Sequence, residues 1–170
     1  MKELHAGRHL RLVVRNGWEF VERPGIRGIV IVVAVTPGES ILLVEQRREP
    51  VDANVLELPA GLAGDADSPA DEPLEEAARR ELVEETGWDA SEMERLTVGP
   101  PSAGVTSEVV TFFRARGLSK VGAGGGVEGE AITVHEVPLA AAEDFLAERE
   151  AGGTLVDPKV WAGLWFARRA

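Results

Sequence analysis

The stretch EPLEEAARRELVEETGW, residues 72–88, constrains this chain more than any other. Wound at 3.6 residues per turn, Leu74, Ala77 and Ala78 share one face, the apolar stripe that a surface helix buries. Seven residues further along that face stand Glu81, Glu84 and Glu85. A side that begins as Leu and Ala, directed at the protein body, therefore becomes a row of three carboxylates. They also occupy the last turns before the Thr86-Gly87 stop, the end where the helix dipole disfavours negative charge. Dipole and like-charge terms cost roughly 0.3–1 kcal/mol each, so three together are a local strain that a bound cation would relieve. The segment reads as a helix-borne divalent-metal site, and an ordinary acidic amphipathic helix does not account for the heptad-shifted row.

With 170 residues, 44% of them hydrophobic, the chain is long enough for one substantial core, and a single domain over 1–170 is expected. The net charge of −11, from 29 acidic and 18 basic residues, disfavours nucleic acid and anionic lipid as partners. The absence of cysteine excludes disulfides, thiolate catalysis and thiolate zinc sites. The start, MKELHAGRHL, has no apolar signal region, and the longest apolar run, Ile29 to Val35, is too short to span a bilayer, so a soluble cytoplasmic protein is expected.

His9 to Arg15 and Trp18 to Arg23 flank Asn16-Gly17, a type I′ turn signal, and predict an N-terminal hairpin within residues 1–25. Ile29 to Val35 is a continuous apolar run, β-branched but for Ala34, and predicts a strand buried on both faces. Strands follow at Ile41 to Glu45 and Val55 to Leu58. Gly61 to Asp71 reads as a polar loop, with the helix starting near Glu72-Pro73. Further strands are expected at Met93 to Val98, Glu108 to Ala115 and Ala131 to Val137, and helices at Leu139 to Arg149 and Asp157 to Arg169. GAGGGVEG, residues 122–129, reads as a flexible connection within the domain, since too few residues follow it for a second one. The order predicts an α/β fold with a mixed sheet between helices.

Arg80-Glu81-Leu82-Val83-Glu84-Glu85-Thr86-Gly87-Trp88 closely resembles the second half of the Nudix box, and seven residues separate Glu72 from Arg80, as that box requires. Two positions depart from it. Ten residues separate Gly61 from Glu72 where the family has five, and Trp88 replaces an aliphatic residue. The resemblance implies a Nudix-type α/β/α sandwich and Mg²⁺-dependent hydrolysis within the pyrophosphate of a nucleoside diphosphate linked to another group, with Mn²⁺ as an alternative ion. Hard cations of this kind prefer carboxylate, carbonyl and phosphate oxygens. Glu81 and Glu85, one turn apart, are the best ligands; Glu84 follows as ligand or base. Arg80 is expected to orient these carboxylates through charge-assisted hydrogen bonds. The resemblance adds the backbone carbonyl of Ala60 as a metal ligand.

Glu45-Gln46-Arg47-Arg48 and Glu57-Leu58-Pro59-Ala60-Gly61 are similar to segments of ADP-ribose pyrophosphatases. That likeness implies that Arg48 contacts a substrate phosphate, against the plainer reading of a solvated strand-end charge. Residues 18–23 resemble the N-terminal strand that in those dimers supplies an aromatic to adenine and an Arg to the substrate. Trp18 and Arg23 are the matching residues, although Trp18 equally suits a core or dimer position. The same group carries a general base on a mobile loop, which here is Glu128 or Glu130. His135, inside the next strand, reads as structural. Residues 102–108, SAGVTSE, are similar to a substrate-bordering loop and make Glu108 a substrate-binding candidate. Ala103 stands where ADP-ribose specificity is marked by Pro, with Pro100 and Pro101 slightly earlier. The expected partners are a nucleotide sugar or dinucleotide-type substrate and a second copy of the chain. Hydrolysis of another nucleoside di- or triphosphate and a non-catalytic nucleotide-binding module are the alternatives.

Overall fold

The structure, a computed structural model, describes residues 1–64, 69, 71–127 and 129–169. Thirteen strands and three α-helices are present among them. At the N-terminus β1 (Lys2–Ala6), β2 (Arg11–Arg15) and β3 (Trp18–Glu22) form an antiparallel sheet in that order. Asn16 and Gly17 both take positive φ, 52° and 83°, as the type I′ turn requires. The expected hairpin is therefore two strands of a three-stranded sheet. Every residue of β1 is exposed, so its sequence carries no alternation of apolar and polar positions by which to recognise it.

The body begins with β4 (Gly28–Ala34), β5 (Ser40–Arg48), β6 (Ala53–Glu57) and β7 (Ala60–Ala63). Helix α1 (Leu74–Thr86) follows, then β8 (Trp88–Asp89), β9 (Glu92–Gly99), β10 (Val110–Arg116) and β11 (Ser119–Lys120). The chain closes with β12 (Thr133–Pro138), α2 (Ala142–Ala151), β13 (Leu155–Val156) and α3 (Pro158–Ala167). One sheet runs β7-β4-β10-β9 with β4 and β10 parallel; another runs β12-β5-β6-β13 with β6 and β13 parallel. A short β11-β8 pair lies beside α1.

Strand β4 explains the layering. Val30, Val32 and Ala34 pack with Ala77, Ala78 and Leu82 of α1, while Ile31 and Val33 pack with Leu146 of α2 and Val160 and Leu164 of α3. Helices thus cover both faces of the mixed β-structure, an α/β/α sandwich, and β4 is buried on both sides as its unbroken apolar run predicts. No helix among the described residues is long and apolar enough to cross a membrane.

The polar-loop reading of Gly61 to Asp71 needs correction at its start. Ala60–Ala63 is strand β7, antiparallel to β4, with Leu62 opposite Ile29 and Gly61 opposite Val30. Gly and Ala dilute the apolar pattern there, while pairing with a buried strand supplies the backbone hydrogen bonds. The helix that follows has Pro73 at its N-cap, extended at φ −61° and ψ 145°, and ends at Gly87 with φ 71°, whose N–H donates to the Val83 carbonyl at 2.8 Å.

Candidate active site

Period-two alternation along β5 sends Glu45 and Gln46 to opposite sides. Gln46 and Arg48 line a cleft of about 480 Å³ together with Glu57 of β6, Ala60, Gly61 and Leu62 of β7, and Glu81 and Glu85 of α1. Arg23, Glu108, Glu130 and Lys159 complete its charged wall. The cleft therefore joins the acidic turn of α1 to three basic side chains from β-structure and a helix start.

Glu85 is 5% exposed, and its carboxylate accepts the Ala60 N–H at 3.0 Å. Burial pushes its pKa up to about 8; the neighbouring charges of Glu81 and Glu130 add to this, and the Ala60 bond and Arg48 charge oppose it. Glu81 lies against Gly61 so closely that a Cβ there would be 1.9–2.4 Å from the Glu81 carboxylate atoms. Only glycine leaves room for that side chain. Arg80 anchors the start of this array. It donates to both Glu72 oxygens at 3.0 and 3.1 Å, to the Leu62 carbonyl at 3.0 Å, to Glu81 at 3.0 Å and to Glu84 at 3.1 Å. The fork to buried Glu72, with the charges of Glu81 and Glu84, raises the Arg80 pKa and keeps it cationic.

The expected residues divide by position. Glu81, Glu85, Ala60, Arg48, Arg23, Glu108 and Glu130 meet at the cleft. Glu84 does not line it; its carboxylate is turned to Arg80, in a separate depression with Glu72, Glu76 and Asp89. It is the Ala60 N–H that meets Glu85, a contact absent from the expectation of a carbonyl ligand. Trp18 is 68% exposed at the β2–β3 turn, apart from the cleft lining. Glu128 lies outside the described residues. Arg48 donates to Glu57 at 2.6 Å and Arg23 to Glu108 at 3.1 Å, so both guanidinium groups are held in place by carboxylates. Among the described residues no three carboxylate or imidazole groups are already gathered as a metal cage.

Sequence reasoning missed Lys159 and the cradling role of Gly61. Lys159 sits in the first turn of α3, where the Asp157 carboxylate accepts its backbone N–H at 2.8 Å and pairs with its ammonium. Nothing local in DPKV signals a cleft; only the docking of α3 brings it there. His135 is bonded to Glu45 at 3.0 Å on the other side of β5, where Glu45 also meets Asn54 and Arg149. That is the structural role expected of it.

This geometry agrees with the comparisons. Residues 25–155 match the NUDIX domain family. The ADP-ribose pyrophosphatase of Bacillus subtilis (strain 168) is 35% identical over 133 residues, which are 78% of this chain and 68% of that protein. The GDP-mannose pyrophosphatase of Yersinia enterocolitica is 34% identical over 149 residues, 83% of this chain and 73% of that one. The methanol dehydrogenase activator of Bacillus methanolicus is 34% identical over 132 residues, 77% and 67% respectively. In three dimensions the chain is similar to a crystal structure of an ADP compounds hydrolase, with a TM-score of 0.70 and 21% identity over 99% of this chain and 89% of that one, a likeness of fold. The chain belongs to the Nudix family and is a Nudix pyrophosphohydrolase.

Proposed function

We propose that this enzyme hydrolyses the pyrophosphate bond of ADP-ribose or a related nucleoside diphosphate sugar, giving a nucleoside monophosphate and a sugar phosphate. The observation that carries this reading is the single cleft in which the Glu81/Glu85 pair faces Arg23, Arg48 and Lys159. Such a cleft suits a substrate with a diphosphate at its centre and uncharged groups at both ends. Relatives named for ADP-ribose and GDP-mannose support the class. Within that class, Ala103, in place of the Pro that marks ADP-ribose specificity, favours a nucleotide sugar other than ADP-ribose.

The donor set fits a hard divalent cation. Glu85 is a buried carboxylate that accepts a backbone N–H and stands beside a second carboxylate, an arrangement that added positive charge would stabilise. Glu81 and Glu85 would hold Mg²⁺ or Mn²⁺, and Glu84 would join them on leaving Arg80. When bound, such an ion polarises a phosphate oxygen and acidifies water. Arg48 and Lys159 hold the phosphates by charge-assisted bonds, and Glu57 and Asp157 fix those two cations. Glu130 takes the proton as the water oxygen bonds to phosphorus and the bridging P–O bond breaks. Arg23, braced by Glu108, and Trp18 serve the nucleoside, with Trp18 delivered by a second copy of the chain in a homodimer. We place the enzyme in the cytoplasm as one domain over residues 1–170.

A panel of nucleoside diphosphate sugars and nucleoside di- and triphosphates with Mg²⁺ tests the reading. Release of nucleoside monophosphate and sugar phosphate is expected. Orthophosphate from triphosphates alone would move the enzyme to the other substrate class. Glu85→Gln is expected to abolish Mg²⁺-dependent turnover, and unchanged turnover would end the assignment of this site.

A further inference from the structure

The carboxylates of α1 stand at the helix end where carbonyl groups lack helical partners. Those carbonyls are not left to water. The Glu84 oxygen accepts the Gly126 N–H at 3.0 Å, and the Glu85 oxygen accepts the Gly125 N–H at 2.8 Å. The Thr86 oxygen accepts the Lys120 ammonium at 2.9 Å, and the Gly87 oxygen accepts Val121 and Gly122 N–H groups at 2.8 and 3.0 Å. Lys120 lies over the Trp88 ring at 5.4 Å, so the residue that departs from the family's aliphatic position is a shelf for this cation.

Glycine is required at the contact. Gly124 has φ +73°, and a Cβ on it would stand 2.4 Å from the Thr86 carbonyl carbon and 2.7 Å from the Glu85 oxygen. The path continues to the far side of the loop. The Glu130 side chain folds against Gly126, where a Cβ would be 2.6 Å from its carboxylate oxygen, and that carboxylate accepts the Val127 N–H at 3.1 Å. The Glu130 N–H in turn donates to the Val127 oxygen at 3.0 Å. An unbroken set of contacts thus runs from the backbone of Glu84 and Glu85 to the Glu130 carboxylate, which shares the cleft of Glu85.

We propose that Gly124, supported by Lys120 and Trp88, is a positioning residue: residues 120–126 clamp the C-terminal end of α1 and thereby hold Glu130 beside Glu85. Residues 120–126 are then an anchored strap rather than a free hinge. This rests on the reading of Glu130 as the proton acceptor.

Steady-state kinetics with Mg²⁺ and amide hydrogen exchange on the metal-free protein test it together. Gly124→Ala is expected to remove exchange protection at Gly125 and Gly126 and to lower kcat by about ten- to a hundredfold, with KM changed little, as for a catalytic group displaced by about 1 Å. In a Glu130→Gln background Gly124→Ala is expected to add nothing. Lost protection with wild-type kcat, or retained protection, overturns the clamp. An equal loss of kcat in the Glu130→Gln background shows that it acts on something other than Glu130, which also overturns it. If Glu130→Gln alone turns over normally, the proton-acceptor reading fails, and the exchange data still report whether the clamp exists. Lys120→Met, on the surface side of the clamp, carries the same comparison should Gly124→Ala not fold, with a smaller loss in the same direction and restoration by Lys120→Arg.

Discussion

As the proposed metal ligand, Glu85 sets stability against function in a way that can be measured. Its pKa rises from 4.5 in the unfolded chain to about 8 in the metal-free fold, chiefly through burial. A group with a raised folded pKa binds its proton more tightly when folded. Its contribution is therefore fully present below pH 4.5 and lost as pH rises through 8. Each factor of ten in that preference is worth about 1.4 kcal/mol. Glu85→Gln, which keeps the shape without the charge, is expected to raise metal-free stability at alkaline pH and flatten this limb, while Mg²⁺ stabilises only the wild type. Denaturant titrations from pH 5 to 9, with and without Mg²⁺, check it; a variant no more stable than wild type at pH 9 would refute the account. Gly61 makes a sharper case. Its backbone φ is not in the left-handed region, so alanine is tolerated by the chain, but the new Cβ would occupy the place of the Glu81 carboxylate. Gly61→Ala is expected to keep the fold, since a long side chain can swing away, and to weaken Mn²⁺ binding about tenfold or more through loss of one carboxylate ligand. Titration calorimetry with Mn²⁺ reads this without substrate.

At the scale of elements, β5 serves two sites at once because its side chains alternate. Gln46 and Arg48 face the cleft, whereas Glu45 accepts from Asn54, His135 and Arg149 and ties α2 to the β12-β5-β6 sheet. Burial raises the Glu45 pKa, but the His135 bond, the Arg149 charge and the Asn54 bond outweigh it and the net value is lowered. A lowered folded pKa contributes stability above the unfolded value, and that part is lost as pH falls through the folded one. Glu45 therefore gives the acid limb the opposite slope to the one Glu85 gives the alkaline limb. Glu45→Gln is expected to cost about 2 kcal/mol at pH 7, the scale of a hydrogen bond to a charged group, and to flatten the loss of stability as pH falls below 4.5. Urea unfolding at fixed pH values measures both. The same strand shows what sequence can carry. Its motif directs attention to Arg48, and the unbroken apolar run of β4 announces a strand buried twice over. The acidic row of α1 is visible at its heptad spacing, yet the division that sends Glu81 and Glu85 to the cleft and Glu84 to Arg80 depends on side-chain pairing across the helix surface. β7 is hidden because two of its four residues are alanine and one is glycine. Lys159 arrives through packing of α3 that no local pattern encodes.

On the scale of the whole molecule, the N-terminal sheet meets the body along residues 105–108. Val21 N–H donates to Val105 at 2.8 Å, Ser107 N–H donates to Val21 at 3.1 Å, and Arg23 meets Glu108 at 3.1 Å. The family match begins at residue 25, so the sheet is an addition to the part of the chain that defines the family. Trp18 at its turn is 68% exposed, a large apolar area to leave in water on a side chain proposed to stack on a base. Both facts make sense if the sheet delivers Trp18 to the cleft of another copy. A homodimer is then expected, and a monomeric mass by light scattering at the concentration used for kinetics would remove the idea. Coexpression of Trp18→Ala with Glu85→Gln separates delivery in trans from delivery in cis. If Trp18 acts across the dimer, each mixed dimer contains one site in which both the partner's Trp18 and its own Glu85 are intact. Activity at low substrate concentration should then exceed the sum of the two variants. If Trp18 acts within its own chain, every site in the mixture lacks one residue or the other, and the activities simply add.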